Sequence, residues 1–221
     1  MSLPPGEQVI GYFPRFGTHF SQPAPFTEEP AVIRVAGAVA RCFEVPVTRL
    51  AELERRAMVA DFHCVAGWTA QGLRWDGVAF RTFYESVIVP EARPEPSVSH
   101  ILFQGADGYR SALTLEDALD VDVLLADRLG GVALDGRHGA PARLLSPKQY
   151  GYKSTKHLCC IELHTREPGD GHEKAVPAFL LALVKAHPRA RVAEEERHRY
   201  LPAWVVRGMY RKFIPRGKRR R

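Results

Sequence analysis

Cysteine is scarce in this 221-residue chain, which holds only Cys42, Cys64, Cys159 and Cys160. Four cysteines, two of them adjacent, make no disulfide framework, and a reducing cytoplasm is the expected compartment. No CxxC pair occurs, so a structural zinc site or a redox pair of that type has no support. Long apolar runs are missing too. The best, Phe179 to Val184, falls far short of the roughly 20 residues of a membrane-spanning helix. The opening MSLPPGEQVI has neither a basic nor an apolar leader region, so no secretory signal is expected. No acid stands between Val205 and Arg221, where Arg207, Arg211, Lys212, Arg216, Lys218, Arg219, Arg220 and Arg221 do. The whole chain carries +6, so everything before that stretch sums to a formal −2. This is a near-neutral body with a basic tail, and the tail is expected to stand in solvent, contact with nucleic acid or a membrane surface being the alternative.

What is present fits a globular protein: 45% hydrophobic residues and 25% charged exclude wholesale disorder. Pro4, Pro5, Pro14, Pro23, Pro25 and Pro30 predict an extended arm over residues 1–30. A core of mixed short strands and helices is expected over 31–165, and a helical extension with the basic tail over 166–221. Strands are predicted at Ala31–Ala40, broken at Gly37, and at Met58–Val65, His100–Gln104, Arg143–Ser146 and Lys156–His164. Helices are predicted over Val47–Arg56 with a Thr48 cap, over Phe80–Val89 closed by Pro90, and from a Thr114/Asp117 cap towards Gly130-Gly131. Further helices are expected at Ala175–His187 and Glu194–Lys212, the latter interrupted at Pro202 and Gly208. Strands and helices do not alternate as in a doubly wound sheet, so the fold class is α+β with peripheral helices.

Two segments can carry chemistry. Asp61-Phe62-His63-Cys64-Val65-Ala66-Gly67-Trp68 puts a cysteine at a strand end before a glycine turn, a common way to present a side chain to a cleft. On spacing alone Cys64 is more often a small buried hydrophobe, and His63 a packed histidine. The stretch from Arg137 to Lys156 gathers basic groups, glycines and a Ser-Thr pair. Such loops hold anions through Arg, Lys and backbone N–H groups, although a solvated basic turn looks the same and no GxxxxGK pattern is present.

Taken in order, HCVAGW, RWDG, HILFQGADGY, SALTLEDALD, RHGAPARLLSPKQYGYKSTK and IEL resemble the molybdopterin-binding core of the sulfite oxidase family. The likeness is greatest to haem-free bacterial members such as methionine sulfoxide reductase catalytic subunits, and runs from about Val9 to Thr165. The resemblance implies a sulfite oxidase-type α+β fold, molybdopterin with molybdenum as cofactor, and two-electron oxygen-atom transfer. It implies that Cys64 is the metal-ligating and catalytic cysteine, its thiolate beside the two dithiolene sulfurs, a soft donor for a sulfur-rich metal. It implies pterin contacts from His138, Arg143 and Asp107, and a phosphate site at Ser154, Thr155 and Lys156. Phe13-Pro14-Arg15-Phe16-Gly17 falls where animal enzymes have Phe-x-Arg-Asn-His. Arg15 matches that motif, and the resemblance implies that it faces the cofactor or an oxyanion substrate, as a catalytic and cofactor-binding residue with Phe16 beside it. The chain departs from the animal enzymes after Cys64, where no cation follows until Arg74; sulfite, a small dianion, is poorly served there. Trp68 and Trp75 point to an aromatic mouth or to packing.

No haem-attachment CxxCH is present, so a separate electron-transfer partner is expected to act alongside a small-molecule substrate. Two rival readings are a molybdopterin carrier without turnover and an anion or nucleic-acid binder working through the tail.

Overall fold

The computed structural model describes residues 3–14, 24–25, 30–169, 185–211 and 214. Two sheets organise them. The first contains β1 (Gln8–Ile10), β4 (Arg55–Cys64), β5 (Trp68–Ala79), β8 (Leu124–Leu129), β9 (Val132–Ala133) and β10 (Arg143–Leu145). The second is ordered β3 (Phe43–Pro46), β2 (Val32–Gly37), β11 (Leu158–His164), β6 (His100–Gly105), β7 (Arg110–Thr114).

Strand β5 is the spine of the first sheet. Antiparallel β4 runs beside it from Arg55↔Val78 to Cys64↔Trp68. Parallel β1 pairs with its start, Gln8↔Trp68, and antiparallel β8 with its end, Ala79↔Leu124. The proline-rich N-terminal region therefore contributes a strand at the level of Cys64. In the second sheet β11 is central, parallel to β2 and antiparallel to β6.

The main core lies between the sheets. Val78, Leu125 and Leu144 of the first meet Ile33, Val35, Ile101, Phe103, Leu113, Ile161 and Leu163 of the second. Residues 80–92 form a helix, α1, that adds Phe80, Phe83, Val87 and Ile88 to this core, a spacing of three and four residues. Pro90 does not close it. The turn over Tyr84–Ile88 widens to π geometry, and the chain passes through Pro90 to Ala92 before Arg93 turns left-handed at φ 54°. A proline without an N–H disrupts regular α spacing, and a π turn is one way to accommodate it.

Several expectations are corrected. Residues Val47–Glu52 form a 3-10 turn after Pro46 with no Thr48 cap, because Arg55 already belongs to β4. Thr114 does cap a helix, accepting the Asp117 N–H at 3.1 Å, but this helix, α2, is only Leu115–Ala118. The following apolar run is β8, not helix: Leu124, Leu125 and Ala126 are buried between β5 and β10, and tertiary pairing decides a segment whose period is ambiguous. Near the C-terminus only α3 (Ala203–Tyr210) is helical among the described residues, and it runs through Gly208. Residues 185–201 are irregular, pinned by the bridges Gln149↔Arg191 and Ala186↔His198. The helix expected over Ala175–His187 lies largely outside the described residues.

Candidate functional site

The Cys64 turn is built by the β4–β5 hairpin. Gly67 donates its N–H to the Cys64 carbonyl at 2.9 Å and adopts φ +95°, where a Cβ would also press on the Gly6 carbonyl at 2.9 Å. Around Cys64 the chain packs Ile10, Ala66, Trp68 and Ala70, with Phe13, Phe62, Tyr210 and Ile214 at the margin. This burial pushes the thiol up to about 12, against the pull of the Ala66 N–H and of Arg197.

His138 sits in a turn made by Asp135, a residue the sequence reading passed over. The Asp135 carboxylate accepts the N–H groups of Arg137 and His138, each at 2.9 Å, and faces His138 Nδ1 at 2.9 Å. Burial alone would raise this carboxyl, but the His138 N–H and ring hold it below the usual carboxylate range. His138 Nε2 meets the Phe13 carbonyl at 3.2 Å, and the two rings stack at 5.0 Å.

Arg143 begins β10 with no exposed surface at all. Its Nε, Nη1 and Nη2 donate to the carbonyls of Leu144, His138 and Ser154 at 3.3, 3.0 and 3.0 Å. The guanidinium carbon stands 5.4 Å from the Phe62 ring and 5.3 Å from the Trp75 ring. No carboxylate pairs with it among the described residues, and burial pushes it down to about 9.

The Ser154–Lys156 stretch divides its work. Ser154 Oγ accepts the Ser146 N–H at 3.1 Å, and Thr155 Oγ1 bonds Ser111 Oγ at 2.7 Å, so both hydroxyls brace the loop from within the protein. Lys156 is half-buried, its Nζ donating to the Arg137 carbonyl at 3.1 Å. Asp107 is brought to the same place. Its carboxylate accepts the Tyr109 N–H at 3.0 Å, and a Cβ on neighbouring Gly105 would lie 2.3 Å from the Lys156 carbonyl. Only glycine allows that approach.

His138, Arg143, Ser154, Thr155, Lys156 and Asp107 therefore converge. Cys64 joins them through aromatic rings: Phe62, two residues before it, touches Phe13 at 4.9 Å and lies beneath Arg143. Gly151 packs so closely on Phe62 that a Cβ would meet the ring at 2.3 Å, tying the Ser154 loop to the end of β4. Trp68 and Trp75 are both fully buried, so the packing alternative describes them and no open aromatic mouth is formed by these two. Arg15 and Phe16 lie outside the described residues.

These residues fit molybdopterin. A buried cation without a counter-charge suits an anionic group, and the buried Trp75 Nε1 near it has no hydrogen-bond partner. Among the described residues no group of three or more His, Cys, Asp or Glu can hold a metal. A metal at Cys64 must then bring its other donors with it, as a dithiolene does.

Comparison with known proteins accords with this geometry. The Gluconobacter oxydans protein-methionine-sulfoxide reductase catalytic subunit MsrP is 27% identical over 78% of this chain and 61% of its own length. An Azospira oryzae protein named putative protein-methionine-sulfoxide reductase subunit YedZ1 is 28% identical over 62% of this chain and 50% of its own. The chain thus spans little more than half the length of these curated relatives. The crystal structure of the sulfane dehydrogenase SoxCD from Paracoccus pantotrophus shares the fold, with a TM-score of 0.56 and 22% identity over 65% of this chain and 40% of that one. Residues 19–172, more than half of the chain, match the profile described as oxidoreductase molybdopterin binding domain, and the chain belongs to that family.

Proposed function

We propose that this protein is a molybdopterin-dependent oxidoreductase that moves an oxygen atom to or from a small substrate in a two-electron step, and that its substrate is a neutral S-oxide or N-oxide rather than sulfite. The observation that carries the first part is Arg143, a fully buried guanidinium with no carboxylate partner among the described residues, joined to Cys64 through Phe62. When bound, molybdopterin supplies the redox-active metal centre. Cys64 gives that centre a sulfur ligand on a turn fixed by Gly67. Arg143 and Lys156 supply positive charge, His138 is aimed by Asp135, and Asp107 lies beside Lys156. In this reading the Ser154 and Thr155 hydroxyls shape the loop, and Lys156 reaches the phosphate.

The substrate preference rests on what surrounds the thiol. Its described neighbours are apolar, and the nearby cation Arg197 is paired with Glu7, so an anion gains little there. Arg74, the first cation after Cys64 in sequence, is a surface residue near Asp76. The name of the MsrP relative, a sulfoxide reductase, points the same way. Electrons are proposed to pass through a separate partner protein. No described helix is long and apolar enough to cross a membrane.

The test is expression in a host that makes the cofactor, followed by elemental analysis and turnover. Stoichiometric molybdenum is expected, with the reduced protein reoxidised by sulfoxides or N-oxides faster than the oxidised protein is reduced by sulfite. Protein without molybdenum contradicts the reading; protein loaded with molybdenum but inert to the whole panel is a carrier.

A further inference from the structure

Arg197 lies in the irregular segment before α3, in none of the elements that carry the cofactor residues, yet it has no exposed surface. Its Nη1 donates to the Val65 carbonyl at 2.6 Å, in the turn directly after Cys64. Its Nη2 donates to the Pro5 carbonyl at 3.1 Å and to Glu7 Oε1 at 2.9 Å. The guanidinium carbon stands 4.9 Å from the ring of Tyr150, which opens the turn leading to Ser154–Lys156. The fully buried Glu7 side chain also accepts the Thr69 hydroxyl at 3.0 Å on Oε2, and His63 Nδ1 lies 2.9 Å from that hydroxyl. His63 and Thr69 are themselves paired across β4 and β5. This network holds the residue before Cys64, the residue after it, and the strand beside it.

As a source of stability such a pair is a poor choice. Two buried charges lose their hydration, and apolar residues of similar size commonly do as well or better. What the pair does supply is fixed geometry at one turn.

We propose that Arg197 is a positioning residue: by holding the Val65 carbonyl it fixes the direction in which Cys64 presents its sulfur to the metal, and by stacking on Tyr150 it ties that direction to the cofactor loop. The inference rests on the reading of Cys64 as the metal ligand. The Arg197→Lys variant keeps a charge for Glu7 but loses the planar fork that reaches several acceptors at once. Arg197→Met alone strands the Glu7 charge and can fail to fold, so the double variant Glu7→Leu/Arg197→Met accompanies it, removing both charges together.

Two readouts separate positioning from general stability. In metal-free full-length chain, alkylation of the four cysteines is followed by mass spectrometry. Loss of one charged hydrogen bond at the turn is expected to raise the Cys64 rate about tenfold, while Cys159 and Cys160 on β11 and exposed Cys42 keep theirs. An unchanged Cys64 rate, or one that rises in step with Cys159 and Cys160, overturns the proposal. In loaded protein, the sulfur-to-metal absorption band and the Mo(V) electron paramagnetic resonance signal are expected to shift with molybdenum content retained; spectra superimposable on wild type overturn it. Cys64→Ser separates the two claims. A Cys64→Ser spectrum superimposable on wild type overturns the ligand reading and this inference with it, whereas a spectrum changed in Cys64→Ser but unmoved in the Arg197 variants overturns the inference alone.

Discussion

At the scale of single residues, the candidate site gathers buried polar groups that a bound anion would complement. Arg143 shows this most clearly. Among the described residues its three hydrogen bonds go to neutral carbonyls, so the positive charge is solvated by dipoles and aromatic faces but not neutralised. Arg143→Lys keeps the charge and breaks the fork, and it is expected to cost about 2 kcal/mol of stability, as for a charged hydrogen bond, and to lower bound molybdenum in protein purified from a cofactor-producing host. Thermal denaturation and elemental analysis check both. His157, just after Lys156, makes a pH prediction. It is buried at φ 52° with Nδ1 donating to the Ala140 carbonyl at 2.8 Å, and burial holds its imidazole below the usual 6.5. The unfolded chain then binds the proton more readily than the folded one. Stability is full above pH 6.5 and declines as the pH falls below it towards the lowered folded value. His157→Asn tolerates the left-handed backbone and cannot titrate. Its stability curve between pH 7 and 5.5 is expected to be flatter than wild type by at most about 1.4 kcal/mol per pH unit, and curves of equal slope would refute the assignment.

At the scale of elements, the site is a meeting of loops held at distances only glycine permits. Gly139, at φ +107°, would put a Cβ 2.9 Å from the Lys156 Cβ, 3.1 Å from its Cα and 3.2 Å from the Arg143 Cβ. Gly139→Ala is therefore expected to lose about 2 kcal/mol or more from backbone strain alone, and to release cofactor by prising His138–Arg143 away from Lys156. Retention of full molybdenum content would contradict this packing. Much of the scaffold was legible in the sequence, because strands such as β2, β6 and β11 carry alternating or short apolar runs between clear breakers. The failures were physical. Leu124–Leu129 is apolar on a period that suits helix and strand alike, and only the neighbours β5 and β10 decide it. Pro90 read as a stop because a π turn leaves no signature in spacing. Of the candidate site, the cysteine and the basic loop stand out as motifs, while the contacts of Phe62, Asp135, Glu7 and Arg197 do not, since each is made across a long sequence separation or through a local turn.

At the scale of the whole molecule, the C-terminal segment belongs to the site as much as the N-terminal strand does. Val206 of α3 is fully buried, and Tyr210 and Ile214 pack against the cluster around Cys64. Truncation after Ala203 is thus expected to open Cys64 to alkylation and to lower the melting temperature, whereas truncation after Ile214 leaves both unchanged while removing the RGKRRR run. Equal effects from the two truncations would show that the cover does not come from α3. With both readouts unchanged in the longer truncation, any salt-dependent association traced to the RGKRRR run would be independent of the chemistry at Cys64.

The central claim is that the Cys64 sulfur bonds molybdenum delivered by a dithiolene. X-ray absorption at the molybdenum edge of the loaded protein counts those sulfurs directly. Wild type is predicted to show three sulfur neighbours and Cys64→Ser two, with the cofactor still held by Arg143 and the Ser154–Lys156 loop. An identical sulfur count in the two proteins would contradict the account.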